Sequence, residues 1–187
     1  MQLSENNILK ETRVFYDNSG NIEICNKINI PSRLKYKAQE LAINHLNLKD
    51  IGELRDRFEG QAYLDKLTLS IMSLYVLEKT VNRKFLNLDN FKNKRNFSNE
   101  YVDIVDDKFK LFTFFLGEVP IKSGTDVNPL IVIGISPDLR FGSVYGYIKD
   151  YCLTDKSLFR CVSSPVQKNR NMYVGFNKLI KIENLFI

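Results

Sequence analysis

Residues 109–148 contain three runs that decide the fold: FKLFTFFL at 109–116, LIVIGI at 130–135 and FGSVYGYI at 141–148. Each run has the length and the β-branched or aromatic content of a strand. The first run presents two apolar sets, Phe109, Leu111 and Phe115 on one face and Phe112, Phe114 and Leu116 on the other. A strand with two apolar faces is usually covered on both sides. We therefore predict that this strand is internal to a sheet with two buried faces.

The segments around these runs predict how the strands pair. Residues 101–105 are joined to the first run by Asp106-Asp107-Lys108, a turn composition, which predicts an antiparallel hairpin. The turn residues 136–140 (SPDLR) join the other two runs into a second antiparallel pair. Shorter runs at 158–162 and 172–176 are expected to extend the sheet, and residues 177–186 to form a short amphipathic turn or helix.

The N-terminal half is predicted to be mainly helical. A hairpin at residues 13–25 precedes a helix that starts near Arg33, with Ser32 as its N-cap, and runs to about Leu48. A short charged segment at 50–57 is expected to form a helical turn. Residues 61–81 form the strongest helix, whose apolar surface is wider than one stripe, so we predict that it packs on more than one side.

Helices followed by a run of strands indicate an α+β fold, with an N-terminal hairpin and helices packed on a mostly antiparallel C-terminal sheet. A length of 187 residues is that of one domain. We divide it into an extended or hairpin lead-in at 1–31, a helical part at 32–82 and a sheet part at 100–187. Gly142 and Gly146, within one strand, indicate a packing or bulge feature.

The composition bounds the compartment and the partners. The net charge is +5, and residues 108–187 carry 11 basic against 6 acidic residues, whereas residues 1–107 carry 16 of each. No apolar run is long enough for a membrane span and the first residues lack the pattern of a secretory signal, so a cytoplasmic protein with no membrane partner is expected. Three cysteines without a CxxC spacing favour reduced structural thiols, with a Cys152–Cys161 disulfide as the alternative.

His45 is the single histidine and falls on the apolar stripe of the first helix. Such a histidine is more often a partly buried, hydrogen-bonded packing residue than a catalytic base or a ligand. The packing role is our prediction, because the chain has no second histidine to build a site with it.

Residues 90–97 (NFKNKRNF) interleave aromatic and basic side chains. Rings that stack on bases beside cations that meet phosphates are typical of single-stranded nucleic-acid binding. The candidate nucleic-acid contacts are Lys92, Lys94, Arg95 and, from the strand turn, Arg140. The alternative is a solvated connection held to the core by its two phenylalanines.

In outline, the acidic hairpin beside a helix and further strands resembles the PD-(D/E)XK nucleases. That resemblance implies Mg²⁺ held by carboxylates, with a lysine that assists the attacking water. The candidate catalytic residues are Asp103, Asp106, Glu118 and Lys122. The strand after Asp103 reads KLFT at 110–113 where the motif has an acid and a lysine, and Pro120 separates Glu118 from Lys122. Mg²⁺ is expected only under this alternative; otherwise no cofactor and no metal site are predicted.

Two stretches are similar to an uncharacterised, mainly cyanobacterial domain family. They are QAYLDKLTL at 61–69, with its tyrosine-leucine pair at the start of an apolar helix, and the strand pair with the leucine-patterned ending at 177–185. The resemblance implies no established catalytic residues. It implies a role as an interaction partner in stress or defence systems, alongside regulators and protease-like proteins.

Other catalytic signatures are missing from the sequence: it has no phosphate-binding P-loop, no dinucleotide-binding glycine motif and no G-x-S-x-G nucleophile elbow. The 13 phenylalanines and 9 tyrosines are residue types that anchor interfaces. The sequence therefore favours a non-enzymatic protein-interaction or regulatory module whose partner is another protein. The alternative is a nucleic-acid-acting protein with the nuclease fold, active or degenerate. The sequence specifies no oligomeric state.

Overall fold

The computed structural model describes residues 13–16, 22–57, 59–92, 101–116, 129–148, 160–163, 171–174 and 179–186. These residues form an α+β fold, as predicted. The helices are α1 Ser32–Leu46, α2 Ile51–Asp56 and α3 Gly60–Val81. The strands are β1 Arg13–Tyr16, β2 Ile22–Cys25, β3 Ile28–Asn29, β4 Tyr101–Ile104, β5 Asp107–Phe115, β6 Leu130–Ile135, β7 Phe141–Ile148, β8 Arg160–Ser163 and β9 Asn171–Val174. Short 3-10 turns lie at Leu88–Phe91 and Ile182–Leu185.

Helix α1 buries the stripe that its sequence predicts, with Leu34, Ala38, Leu41 and Ala42 all in the core. Its start differs from the prediction. Ser32 is the first helical residue and Pro31 is the N-cap, with no side chain that caps the helix. Proline serves there because its fixed φ suits extended backbone and its carbonyl accepts the first bond, from the Leu34 N–H at 3.0 Å. The prediction that Ser32 caps α1 is therefore wrong.

Helix α3 packs on two sides, which confirms its predicted central position. It contacts α1 and α2 on one side and strands β3, β5, β6 and β7 on the other. Its buried positions go around the helix far beyond one stripe, from Leu64 and Leu67 to Met72, Val76 and Leu77. The helix stops at Asn82, which takes a left-handed conformation at φ 51°.

The main sheet has five strands in the order β3-β7-β6-β5-β4. Both predicted hairpins are present, β4 with β5 and β6 with β7, and β3 also runs antiparallel to β7. The β5–β6 pair is parallel, so the sheet is mixed rather than strictly antiparallel. A register shift between Val132 and Ile133 forms a bulge on β7 beside Gly146, as the glycine spacing predicts.

Both faces of the sheet are buried, as the two apolar sets of β5 predict. Phe109 and Leu111 join the main core beneath the helices. On the opposite face a second apolar cluster forms, made of Phe112, Phe114, Leu116, Leu130 and Val132. β6 is buried at every position because it lies in the middle of the sheet between these two clusters.

Two further pairs of strands, β1 with β2 and β8 with β9, form small sheets apart from the main one. β1 and β2 form the predicted hairpin as a sheet of their own. β8 and β9 were expected to extend the main sheet, but they pair with each other instead. The edge of β7 that faces away from β6 pairs with β3 and, at Tyr147, forms a bridge to Ile180. Within the described residues, no helix combines the length and the hydrophobicity needed to cross a membrane.

Candidate polar cleft between the helices and the strand ends

The candidate nuclease residues lie in the β4–β5 hairpin, as far as the structure describes them. Asp103 is exposed on the edge strand β4 and its register partner is Lys108 on β5. Asp106 is exposed in the turn. Glu118 and Lys122 lie outside the described residues. Among the residues that are described, no three His, Cys, Asp or Glu side chains gather where they could hold a metal ion.

The candidate nucleic-acid contacts are described at two of four positions. Lys92 is exposed and its Nζ lies 2.7 Å from Asp89 Oδ1. Arg140 is exposed in the β6–β7 turn, with Nε 3.6 Å from Asp138 Oδ2. Lys94 and Arg95 lie outside the described residues. Phe91, one of the two phenylalanines of the alternative interpretation, is fully buried in the main core, and the other, Phe97, lies outside the described residues.

His45 has the packing role that its sequence position predicts. It is half-buried, and both ring nitrogens have partners. The Lys92 carbonyl can only accept, so Nε2 donates to it over 3.2 Å. Nδ1 forms a hydrogen bond of 2.7 Å with the Tyr63 hydroxyl, and burial raises the pKa of Tyr63. His45 thus ties α1 to α3 and to the segment after the 3-10 turn.

A polar cleft of about 200 Å³ opens where the three helices meet the ends of the sheet strands. It is a candidate site in the described part of the chain, because charged, amide, hydroxyl and apolar side chains converge there. Its lining consists of Lys35, Gln39, Arg55, Gln61, Leu64, Asp65, Thr68, Leu69, Phe115 and Leu139. We refer to these residues as the polar cleft.

Helix α3 supplies half of this lining from one face. Its five cleft residues, at positions 61, 64, 65, 68 and 69, follow the spacing of two successive helical turns. Gln61 donates to Asp65 across one turn, with 2.6 Å between Nε2 and Oδ1. Thr68 is 5% exposed at the base of the face. Helix α1 adds Lys35 and Gln39, which are also one turn apart.

Helix α2 is short, and local contacts fix its position and that of Arg55. Asp50 caps its N-terminus by accepting from the Glu53 N–H at 2.9 Å, and Leu54 is fully buried. Gly60 allows α2 and α3 to approach closely, since a Cβ atom there would collide with the carbonyl oxygen of Leu54. The Gly60 N–H donates to the Arg57 carbonyl at 3.0 Å. Arg55 is thereby held at the cleft on a well-anchored turn.

The sheet closes the cleft with Phe115, the last residue of β5, and Leu139, in the turn between β6 and β7. Leu139 has a φ of 62°, a left-handed conformation that costs a branched side chain about 1 kcal/mol or more. Ser136 stabilises this turn: its hydroxyl accepts from the N–H groups of Arg140 and Phe141, both at 3.1 Å. It also bonds the Asp138 carboxylate and, with the Arg140 N–H, holds the pKa of Asp138 below its usual value.

The polar cleft carries two cations, Lys35 and Arg55, against one carboxylate, Asp65. Within the described part of the chain, neither cation forms an ion pair. Two amides and one hydroxyl can each donate or accept, and Leu64, Leu69, Phe115 and Leu139 supply apolar contact. The cleft can therefore hold an anionic group beside an apolar one.

These residues were not singled out by sequence reasoning. One signal was present: the polar Gln61, Asp65 and Thr68 recur at helical spacing next to the apolar Leu64 of α3. No sequence pattern marks Lys35 and Arg55 as site residues, because their convergence depends on how the short helix α2 packs. The chain matches no protein-family model, no curated protein and no solved structure.

Proposed function

We propose that the protein is a non-enzymatic interaction module that binds another protein through the polar cleft, in a regulatory role. The observation that carries the proposal is a pair of cations, Lys35 and Arg55, at the border of a cleft that is partly lined by apolar side chains. Neither cation has an ion-pair partner among the described residues. Unpaired cations beside apolar surface are groups that a complementary partner stabilises. The resemblance to an interaction family in stress or defence systems, and cytoplasmic residence, belong to the same proposal.

The volume of the cleft favours a protein partner over a free metabolite. Pockets for cofactors and drug-sized ligands typically measure roughly 300–1,000 Å³, whereas the polar cleft measures about 200 Å³. A space of this size suits one or two side chains of a partner, which act as anchors while the surrounding surface excludes water.

The proposal is tested with the full chain as bait in a lysate of the native host, beside two variants. Gln61→Trp places a large ring at the exposed rim of the cleft, and Lys84→Glu changes an exposed cation that does not line it. A partner that uses the cleft should be retained by the unmodified chain and by Lys84→Glu. It should bind Gln61→Trp at least about tenfold more weakly, because the new ring blocks the space that an anchoring side chain of the partner occupies. Equal retention by all three chains would contradict the proposal.

One observation keeps a nuclease as the second candidate. The β4–β5 register sets Asp103 opposite Lys108, with Lys110 two residues further along β5, so an acid and a lysine occupy adjacent strands of one hairpin. Mg²⁺-dependent cleavage of single-stranded or plasmid DNA, abolished in Asp103→Ala and retained in Gln61→Trp, would favour this candidate over the interaction module. The nuclease candidate would be excluded if no cleavage were detected with the protein in the presence of divalent metal ions.

A further inference from the structure

We infer that the polar cleft recognises a carboxylate next to an apolar side chain in an extended segment of the partner. This inference rests on the proposed function and names the chemistry of the partner. Lys35 and Arg55 come from two different helices and border the same space, with a net charge of one positive unit once Asp65 is counted. A carboxylate is the group that complements them, and Arg binds it through two parallel hydrogen bonds.

The apolar part of the lining sets the second requirement. Leu69, Phe115 and Leu139 are each half-buried, so part of their surface is open to solvent in the cleft. An apolar side chain of the partner gains by covering this surface, at roughly 25 cal/mol for each Å² removed from water. Leu139 reaches the cleft from a strained backbone at φ 62°. Strained positions tend to occur at binding sites, where the surrounding structure holds them in place.

The remaining polar groups fit a peptide better than a phosphate. Gln39, Gln61 and Thr68 each carry an acceptor oxygen, and Asp65 adds a negative charge. The net charge of one positive unit balances a single carboxylate but not a phosphate, which carries about −1.5 to −2 at neutral pH. A peptide group also offers one N–H, which these acceptor oxygens can bind, beside its C=O. Side-chain amides that both donate and accept match this pair. The cleft is therefore suited to a peptide backbone that carries an acidic and an apolar residue.

The test is selection of a displayed random peptide library on the full-length chain. We expect the selected peptides to share an Asp or Glu adjacent to an apolar residue. The double variant Lys35→Glu with Arg55→Glu should bind them about 10-fold to 100-fold more weakly, the loss expected when a charge-assisted hydrogen bond is removed. Lys49→Glu with Lys84→Glu is the matched control: it has the same net charge, and both positions are exposed and outside the cleft. It should bind the peptides like the unmodified chain.

Synthetic copies of one selected peptide separate the two sources of a carboxylate. Three copies are titrated by calorimetry. The first has an amidated C-terminus, the second has its acidic residue changed to the corresponding amide, and the third has the chain terminus as its single carboxylate. Binding that needs the side-chain carboxylate, or the terminal one, supports the inference and names the source. Displacement by inorganic phosphate at similar affinity would overturn it, because it would define a general anion site.

Failure of the inference is distinguishable from failure of the proposed function. Peptides that lack acidic residues, or that bind the Lys35→Glu with Arg55→Glu chain as well as the unmodified one, overturn the carboxylate chemistry. Sensitivity of the same peptides to Gln61→Trp would leave the interaction module standing. Circular dichroism and thermal unfolding of each variant check that it is folded before its binding is compared. Lys35 and Arg55 are both exposed, so their replacement should leave the fold intact.

Discussion

Ser136 and Ser143 are both buried in the strand region, and their hydroxyls have opposite surroundings. Ser136 is 2% exposed and its oxygen accepts two backbone N–H groups of the β6–β7 turn. Ser143 is fully buried, and its hydroxyl has no hydrogen-bond partner in the described structure. A buried polar group contributes to stability only when it is hydrogen-bonded, so the same residue type has opposite effects at these two positions.

We expect Ser143→Ala to raise the free energy of unfolding by about 1 kcal/mol, since it removes a buried hydroxyl without a partner. Ser136→Ala should lower it by about 1–3 kcal/mol, because the part-buried Phe141 N–H loses its acceptor and the Arg140 N–H keeps only the Asp138 carboxylate. Chemical denaturation of both variants measures the difference. A loss of stability in Ser143→Ala would mean that its hydroxyl is bonded after all. The sequence places Ser136 in the turn at 136–140 and Ser143 inside the strand at 141–148, but it does not show which hydroxyl has a hydrogen-bond partner.

Single residues were predictable where one local pattern decides the environment. His45 is such a case, because its position on the apolar stripe of α1 already implies partial burial. Its partners, the Tyr63 hydroxyl and the Lys92 carbonyl, are 18 and 47 residues away along the chain. A local sequence pattern does not identify hydrogen-bond partners that lie so far away along the chain.

The sequence predicts the β4–β5 hairpin but misplaces its turn at Asp106-Asp107-Lys108, since Asp107 and Lys108 already pair in β5. Its two-residue turn is Val105-Asp106, and Val105 has a φ of 55°. Hairpin turns favour Asn, Asp or Gly at such a position, and a β-branched residue there is strained. Val105 is also 65% exposed, so it gives no packing in return.

Val105→Asn should therefore stabilise the protein, by about 1 kcal/mol, because asparagine tolerates the left-handed conformation better. Asp106→Asn serves as the control, since Asp106 is not among the residues with positive φ, and it should leave the stability within about 0.5 kcal/mol. Thermal and urea unfolding measure both. A destabilised Val105→Asn would contradict the strain assigned to this turn.

The α2–α3 junction is the element on which the polar cleft depends. We expect Gly60→Ala to cost about 1–3 kcal/mol, because its methyl group would collide with the Leu54 carbonyl and separate the two helices. Glu59→Ala is the neighbouring control: Glu59 is exposed, its side chain caps nothing, and the change should be nearly neutral. Binding of a selected peptide should also weaken in Gly60→Ala, since Arg55 moves with α2. Unfolding and calorimetry together check both effects.

At the scale of the molecule, the C-terminal segment completes the main core. Ile182 and Leu185 are buried in the same cluster as the helices and the sheet. Backbone hydrogen bonds of 2.9 Å in both directions join Ile180 to Tyr147. Gly146 makes this approach feasible, because a Cβ atom at its φ of 140° would lie 2.5 Å from the Ile180 carbonyl oxygen.

Ile182→Ala should lower the free energy of unfolding by about 2–4 kcal/mol, the usual cost of removing a large buried side chain. Ile180→Ala should cost less than about 1 kcal/mol, because that side chain is 39% exposed and its bridge uses only the backbone. Denaturant unfolding of the pair distinguishes a segment packed in the core from one that lies loosely on the surface. Equal effects would contradict the packing of Ile182.

Local sequence patterns are enough to predict the α+β class, the three helices, both hairpins of the main sheet and the burial of β5 on both faces. Each of these depends on periodicity or turn composition within a short stretch, where neighbours along the chain dominate the free energy. The parallel pairing of β5 with β6, the separate pairing of β8 with β9, and the convergence of Lys35, Arg55 and Asp65 at one cleft depend on the folded chain as a whole. These outcomes follow from contacts between residues far apart in sequence, and no local pattern encodes which distant surfaces will meet.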